Sequence, residues 1–211
     1  VNKIVLARHF RSIEIVGAKN IPHNGGFILV ANHSSRWDGL LVYNLIGRPS
    51  NFLVHPNELL GFQGIVLKSM GAFPASTQFD LQAHIERQLG KNESVVVFPE
   101  GDVYRDGVTH PFKCGAARFA LNAVRHKIGV PVVPIAIKYS EDMKHVQVII
   151  GVPIDADAYY GEFQREPAQA VRALTTRMQR EVVHMRLELG VEAESNALFL
   201  AKPPRPWAHL A

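Results

Sequence analysis

Phe27-Ile28-Leu29-Val30-Ala31-Asn32-His33-Ser34-Ser35-Arg36-Trp37-Asp38-Gly39 decides how the rest of this chain is read. Its opening apolar run has the length and composition of a strand buried on both faces. The run ends in a polar cluster that holds a histidine and an aspartate. A second run, Val95-Val96-Val97-Phe98, closes in the same way on Pro99-Glu100-Gly101-Asp102. Polar clusters at the exits of buried strands are where α/β proteins assemble their sites.

The His33–Asp38 spacing suits one particular chemistry. A neutral imidazole takes a proton from a hydroxyl through one ring nitrogen, while a carboxylate on the other nitrogen fixes the tautomer and stabilises the imidazolium. Five positions apart on one straight helix, the two side chains would diverge by about 140°. The pair therefore predicts a strand-to-helix turn, for which Ser34 and Ser35 offer turn and N-cap hydroxyls. Spacing alone also fits a surface histidine beside an aspartate in the first turn of a helix. The surroundings decide between the two.

Outward from this stretch, strands and helices alternate. Ile13–Gly17, Asn51–Val54, Ser94–Phe98, Val132–Lys138 and Val146–Val152 read as further strands, and Asp38–Ile46, Phe79–Leu89 and Gly115–Val124 as helices. A long helix is expected over about Glu166–Leu189, with an apolar stripe of Val171, Leu174, Met178, Val182, Met185 and Leu189. Its arginines, Arg172, Arg177, Arg180 and Arg186, read as a solvated face. No linker or repeat interrupts the pattern. It predicts one α/β domain over 1–211, with a mixed, mostly parallel central sheet flanked by helices, and a loose tail over 200–211. Pro56–Met70 is apolar on more than one side and admits two readings, a core helix or a face that docks on a bilayer.

Composition narrows the function classes. At 211 residues, 47% hydrophobic and 20% charged, this is a folded chain with room for one well-buried core. A net charge of +4 suits anionic partners such as a phospholipid surface. No basic run or finger signature points to nucleic acid. Cys114 is the sole cysteine, so no internal disulfide framework exists and a reducing compartment is expected. His55, His84, His110 and His126 lack metal-ligand spacing, and no metal is expected. No apolar stretch reaches the ~18 residues of a spanning helix. The chain begins at Val1 rather than Met, which leaves room for an anchor upstream.

Four blocks, in order over about 13–155, resemble the glycerolipid acyltransferase family of the 1-acylglycerol-3-phosphate type. They are Asn32-His33 through Asp38, Pro56-Asn57-Glu58-Leu59 to Gly71-Ala72-Phe73, Phe98-Pro99-Glu100-Gly101 with Arg105-Asp106-Gly107 and Pro111 to Arg118, and Val130-Pro131-Val132-Val133-Pro134. The resemblance implies that family's fold. It also implies transfer of a fatty acyl chain from a thioester, acyl-CoA or acyl-carrier protein, to a lysolipid hydroxyl, with no permanently bound cofactor. His33 would be the general base and Asp38 its orienting partner. Pro99, Glu100 and Gly101, with Arg36, Asp102, Arg105 and Lys113, would bind substrate, and backbone N–H groups near Gly101 or a helix N-terminus would meet the oxyanion. The expected location is cytoplasmic, peripheral on the inner face of the cell membrane.

Two departures bear on the acceptor. Where the family places a threonine and an arginine after Glu-Gly, this chain has Asp102 and Val103, and the arginine that usually closes the second block is absent from Phe73-Pro74-Ala75-Ser76. Asp102 would repel a phosphate. A phosphate-free acceptor, or a non-catalytic lipid-binding protein of the same fold, are the alternatives.

Overall fold

Odd and even residues of the Phe27–Ala31 run go to opposite faces of the sheet, and each face carries its own core. Phe27, Leu29 and Ala31 belong to one cluster, Ile28 and Val30 to the other, and all five are fully buried. This two-sided burial is why the run reads as continuous rather than alternating. The computed structural model describes residues 2–191 apart from 77 and 127. The tail expected over 200–211 lies outside the described residues.

In chain order the elements are α1 (Asn2–His9), β1 (Ser12–Val16), β2 (Phe27–Ala31), α2 (Asp38–Ile46), β3 (Ser50–Val54), α3 (Gly61–Ser69), β4 (Ala72–Pro74), α4 (Leu81–Gly90), β5 (Ser94–Val97), α5 (Gly115–Arg125), β6 (Pro131–Tyr139), β7 (His145–Ile150), β8 (Ile154–Asp155), α6 (Tyr160–Arg165) and α7 (Pro167–Glu188). The strands form one sheet in the order β1-β7-β6-β2-β5-β3-β4, with β8 also paired to β6. The β6 pairings with β7 and β8 are antiparallel and the rest are parallel. The sheet is thus mixed and mostly parallel, as the sequence predicts. Helices α4, α5 and α7 cover one face; α1 and α2 cover the other.

Because β2, β5 and β3 are parallel neighbours, their C-terminal ends open on the same edge. That edge receives both polar clusters. The departure from it at β2 is managed by Asn32. The β2–β6 ladder ends at the Ala31–Ile135 pair. The fully buried Asn32 carboxamide then accepts from Ile137 N at 2.8 Å and donates to Ile137 O at 3.0 Å. A side chain thereby completes the bonding of Ile137, and the His33 backbone is released from the sheet.

Several elements differ from the sequence reading. Helices α1 and α6 and strands β4 and β8 are short, and their apolar pattern is too brief to register. Pro56–Met70 is broken into a 3-10 turn (Pro56–Leu59) and α3, which opens on Gly61 at φ +62. The core reading of this segment fails. Gly64 is the buried residue of α3, and a Cβ there would run into the Leu59 carbonyl. The helix therefore lies against the turn on its smallest residue and turns its apolar side chains outward. Leu60 is 68% exposed, Phe62 82%, Ile65 65% and Val66 45%.

Asn32→Leu keeps the volume but leaves the Ile137 N–H and C=O without their partner, at ~1–3 kcal/mol for each unsatisfied group. Urea unfolding is expected to show a loss of about 3 kcal/mol. A loss under about 1 kcal/mol would mean that Ile137 bonds elsewhere.

Candidate active site

His33 and Asp38 meet across the turn between β2 and α2. His33 Nδ1 lies 2.8 Å from Asp38 Oδ2. The imidazole stacks on Phe98 from the other strand exit, with centroids 4.1 Å apart and planes at 16°. Its side chain is 20% exposed, whereas Asp38 is fully buried. With Nδ1–H directed at the carboxylate, Nε2 is the nitrogen left to accept a proton from outside.

The turn itself is built around the carboxylate. Asp38 Oδ2 also accepts from Ser34 N and Ser35 N, each at 2.8 Å, and Oδ1 accepts from the Tyr139 hydroxyl at 2.5 Å. The expected capping by serine hydroxyls is largely reversed. The serines contribute backbone donors, while their hydroxyls accept elsewhere, Ser35 Oγ from Trp37 N at 3.2 Å and Ser34 Oγ from Asn32 Nδ2 at 2.9 Å. Burial first, then the Asp38 charge and hydrogen bond, push the Tyr139 hydroxyl far above its ordinary pKa, so it stays a donor.

At the second exit, Gly101 N donates to Phe98 O at 3.0 Å and closes a tight turn at φ +80. The Gly101 N–H is therefore engaged within the protein. A Cβ on Gly101 would collide with the Lys113 ammonium, which lies directly over it. Lys113 N in turn donates to Pro99 O at 2.8 Å.

Glu100 is buried, at 3% exposure. Oε1 accepts from His33 N at 3.1 Å, and Oε2 accepts from His110 N at 3.2 Å. Burial raises its pKa, against the pull of these two N–H groups and of the Arg186 charge. Glu100 thus ties the histidine backbone to the far end of the 101–110 loop. The loop is also pinned by Tyr104 N donating to His33 O at 2.8 Å, by Tyr104 stacked on His110 at 3.5 Å, and by His110 Nε2 at 2.7 Å from Asp106 Oδ2.

Arg186 corrects the reading of α7. It is 4% exposed and donates to Thr109 Oγ1 at 3.0 Å and to Gly107 O at 2.8 Å, holding the loop from behind. The signal was in the sequence: Arg186 stands four residues after Val182, on the apolar stripe itself. Tyr139 and Phe98 were also missed as site neighbours, each lying at the end of an apolar strand run. Arg36, Arg105 and Asp102 are exposed. The carboxylate of Asp102 accepts from Val103 N at 2.7 Å, capping its own turn. Among the described residues Arg36, Arg105 and Lys113 form no ion pair, so their positive charge is uncommitted.

The comparisons with known proteins agree with one another. A family model described as Acyltransferase matches residues 12–138, which contain His33, Asp38 and Glu100. The chain is 31% identical over 137 residues to the chloroplastic 1-acyl-sn-glycerol-3-phosphate acyltransferase BAT2 of Brassica napus, covering 61% of this chain and 38% of that protein. It is 28% identical over 131 residues to a 1-acyl-sn-glycerol-3-phosphate acyltransferase of Borreliella burgdorferi, covering 59% of this chain and 50% of that protein. The matches thus span half or less of these relatives. In three dimensions it resembles the crystal structure of the 1-acyl-sn-glycerophosphate acyltransferase PlsC of Thermotoga maritima, with a TM-score of 0.69 and 21% identity over 92% of this chain and 78% of that one. At that identity the likeness is one of fold.

Arg186→Met removes two charge-assisted bonds to the 101–110 loop, together worth about 3 kcal/mol locally. Hydrogen exchange is expected to accelerate across 101–110 while 27–31 keeps its protection. Unchanged exchange in the loop would show that Glu100 and Tyr104 suffice to hold it.

Proposed function

The chain belongs to the acyltransferase family, and from that premise we propose that it moves a fatty acyl group from a thioester, acyl-CoA or acyl-carrier protein, to the hydroxyl of a lysolipid. The acceptor is 1-acylglycerol-3-phosphate or a close relative. One observation carries the reading: His33 holds Asp38 through Nδ1, keeps Nε2 for a substrate, and stands at an open sheet edge.

His33 Nε2 takes the proton of the acceptor hydroxyl as its oxygen attacks the thioester carbonyl. The tetrahedral adduct then collapses, the C–S bond breaks, and the leaving thiolate receives the proton from the imidazolium. The products are an ester and a free thiol, with no acyl-enzyme between. Asp38 stabilises the transient imidazolium. General-base catalysis of this kind supplies ~10²–10⁴-fold, and positioning of both substrates supplies much of the remainder.

Lys113 over Gly101, with the exposed Arg36 and Arg105, supplies positive charge for a headgroup or for the phosphates of a donor. A second reading, an acceptor lacking phosphate, is favoured by Asp102, exposed in that same turn.

The lipid substrates enter from a bilayer surface on this reading, with the protein peripheral on the cytoplasmic face. Among the described residues no helix is long and apolar enough to cross a membrane. The exposed apolar face of α3 follows β3, which lies two strands from β2 on the site-bearing edge, about 10 Å away. A protein resting on that face would bring His33 toward the headgroup layer.

With labelled acyl-CoA, His33→Ala is expected to lower thiol release with 1-acylglycerol-3-phosphate by ~10²–10⁴-fold, and Asp38→Asn to lower it severely. Unchanged turnover in His33→Ala would overturn the assignment; lipid capture without thiol release by the unaltered chain would indicate a binding protein. Faster turnover with monoacylglycerol than with its phosphate would select the second acceptor. In a separate flotation assay on anionic liposomes, Phe62→Asp should reduce recovery with the vesicles while leaving turnover of a soluble short-chain substrate pair intact. Equal flotation would remove α3 from the docking surface.

A further inference from the structure

The Asp38 carboxylate is buried without a lysine or arginine in ion-pair contact among the described residues. Its charge is met by four donors instead, and they are unevenly shared. Oδ2 receives three, from His33 Nδ1, Ser34 N and Ser35 N, and Oδ1 receives one, from Tyr139. The three on Oδ2 all come from the turn that Asp38 itself closes. Tyr139 is the donor that comes from elsewhere, the last residue of β6. It lies one residue beyond the segment matched by the family model.

We infer that Tyr139 is a positioning residue for the proposed base: by donating to Oδ1 it ties Asp38 to β6 from outside the turn and draws charge away from the contact between Oδ2 and His33 Nδ1. A carboxylate has about four acceptor sites on two oxygens that share one negative charge. A donor on Oδ1 shares the negative charge, which weakens the grip of the carboxylate on a protonated imidazole. The base is then held in its working tautomer without being locked in the charged form that cannot accept a proton.

The groups that face this pair come from four directions. Asp38 opens α2, Tyr139 comes from β6, and Glu100 lies behind the His33 backbone at the exit of β5. Arg186 on α7 is near enough for the charges of Asp38, Glu100 and Asp106 to act on it, and His110 shares Glu100. Removing the Tyr139 hydroxyl alters one of these and keeps the ring. The ring packs on Phe10 with centroids 5.9 Å apart, and Phe10 in turn meets Trp37 at 5.7 Å.

The inference rests on the reading of His33 as the base, but its test does not require turnover. In Tyr139→Phe of the full chain, the His33 ring, followed by NMR, is expected to titrate about one pH unit higher than in the unaltered protein, because the unshared carboxylate holds the imidazolium more firmly. In the acyl-transfer assay the acid limb of kcat/KM should move up with it. At neutral pH kcat should fall about tenfold, with KM for both substrates unchanged. Phe10→Leu, which loosens the packing of the ring and keeps the hydroxyl, should leave the titration in place. A His33 titration that is unmoved or lowered in Tyr139→Phe overturns the inference, as does an equal shift in Phe10→Leu. Absence of acyl transfer in the unaltered chain would sink the function reading and leave the titration result standing.

Discussion

A carboxylate sealed from water has to find donors or give up its charge. Asp38 finds them by shaping its surroundings. The β2–α2 turn curls so that two successive backbone N–H groups point at one oxygen, the histidine side chain reaches the same oxygen, and β6 sends a hydroxyl to the other. The tight turn, the start of α2 and the orientation of His33 are three views of one requirement. The Asn32 carboxamide makes it attainable, since without a substitute partner for Ile137 the chain could not leave the sheet so abruptly.

The second buried acid is treated differently. Glu100 accepts backbone donors from two distant places, His33 and His110, and has the Arg186 charge nearby. Asp38 organises a few consecutive residues, whereas Glu100 joins two strand exits and a loop, with a helix from the C-terminal part of the chain behind them. Both carboxylates accept N–H groups in a dry interior, yet one governs the reactive ring and the other the platform under it. Phe98, stacked on the imidazole, sits between the two systems.

Much of this was legible in the sequence because it is written in short-range patterns. The apolar runs at 27–30 and 95–98 gave the site-bearing strands, and the His33–Asp38 interval was decisive once a turn was required. Arg186 was misassigned because its charge outweighed its position; the helical repeat put it on the buried stripe. Tyr139 carries no local signal, since its partner is 101 residues away and the contact exists through β6 lying beside β2. Which way the apolar side of α3 turns stayed open between two readings for a related reason. Pattern reveals which residues share a side of a helix, but Gly64 against the Leu59 carbonyl decides which side turns in.

The order of the strands has a consequence for how the molecule comes into being. As the chain emerges from a ribosome, β2 is made well before its neighbours β5 and β6, and β1 waits for β7. Such far-flung pairings delay collapse and leave strand edges bare in the meantime. A nascent chain that stops short of residue 139 lacks the hydroxyl that meets Asp38, and one that stops short of 186 lacks the guanidinium behind the loop. The polar centre can therefore reach its finished form only once residue 186 has been made and α7 closes over the sheet.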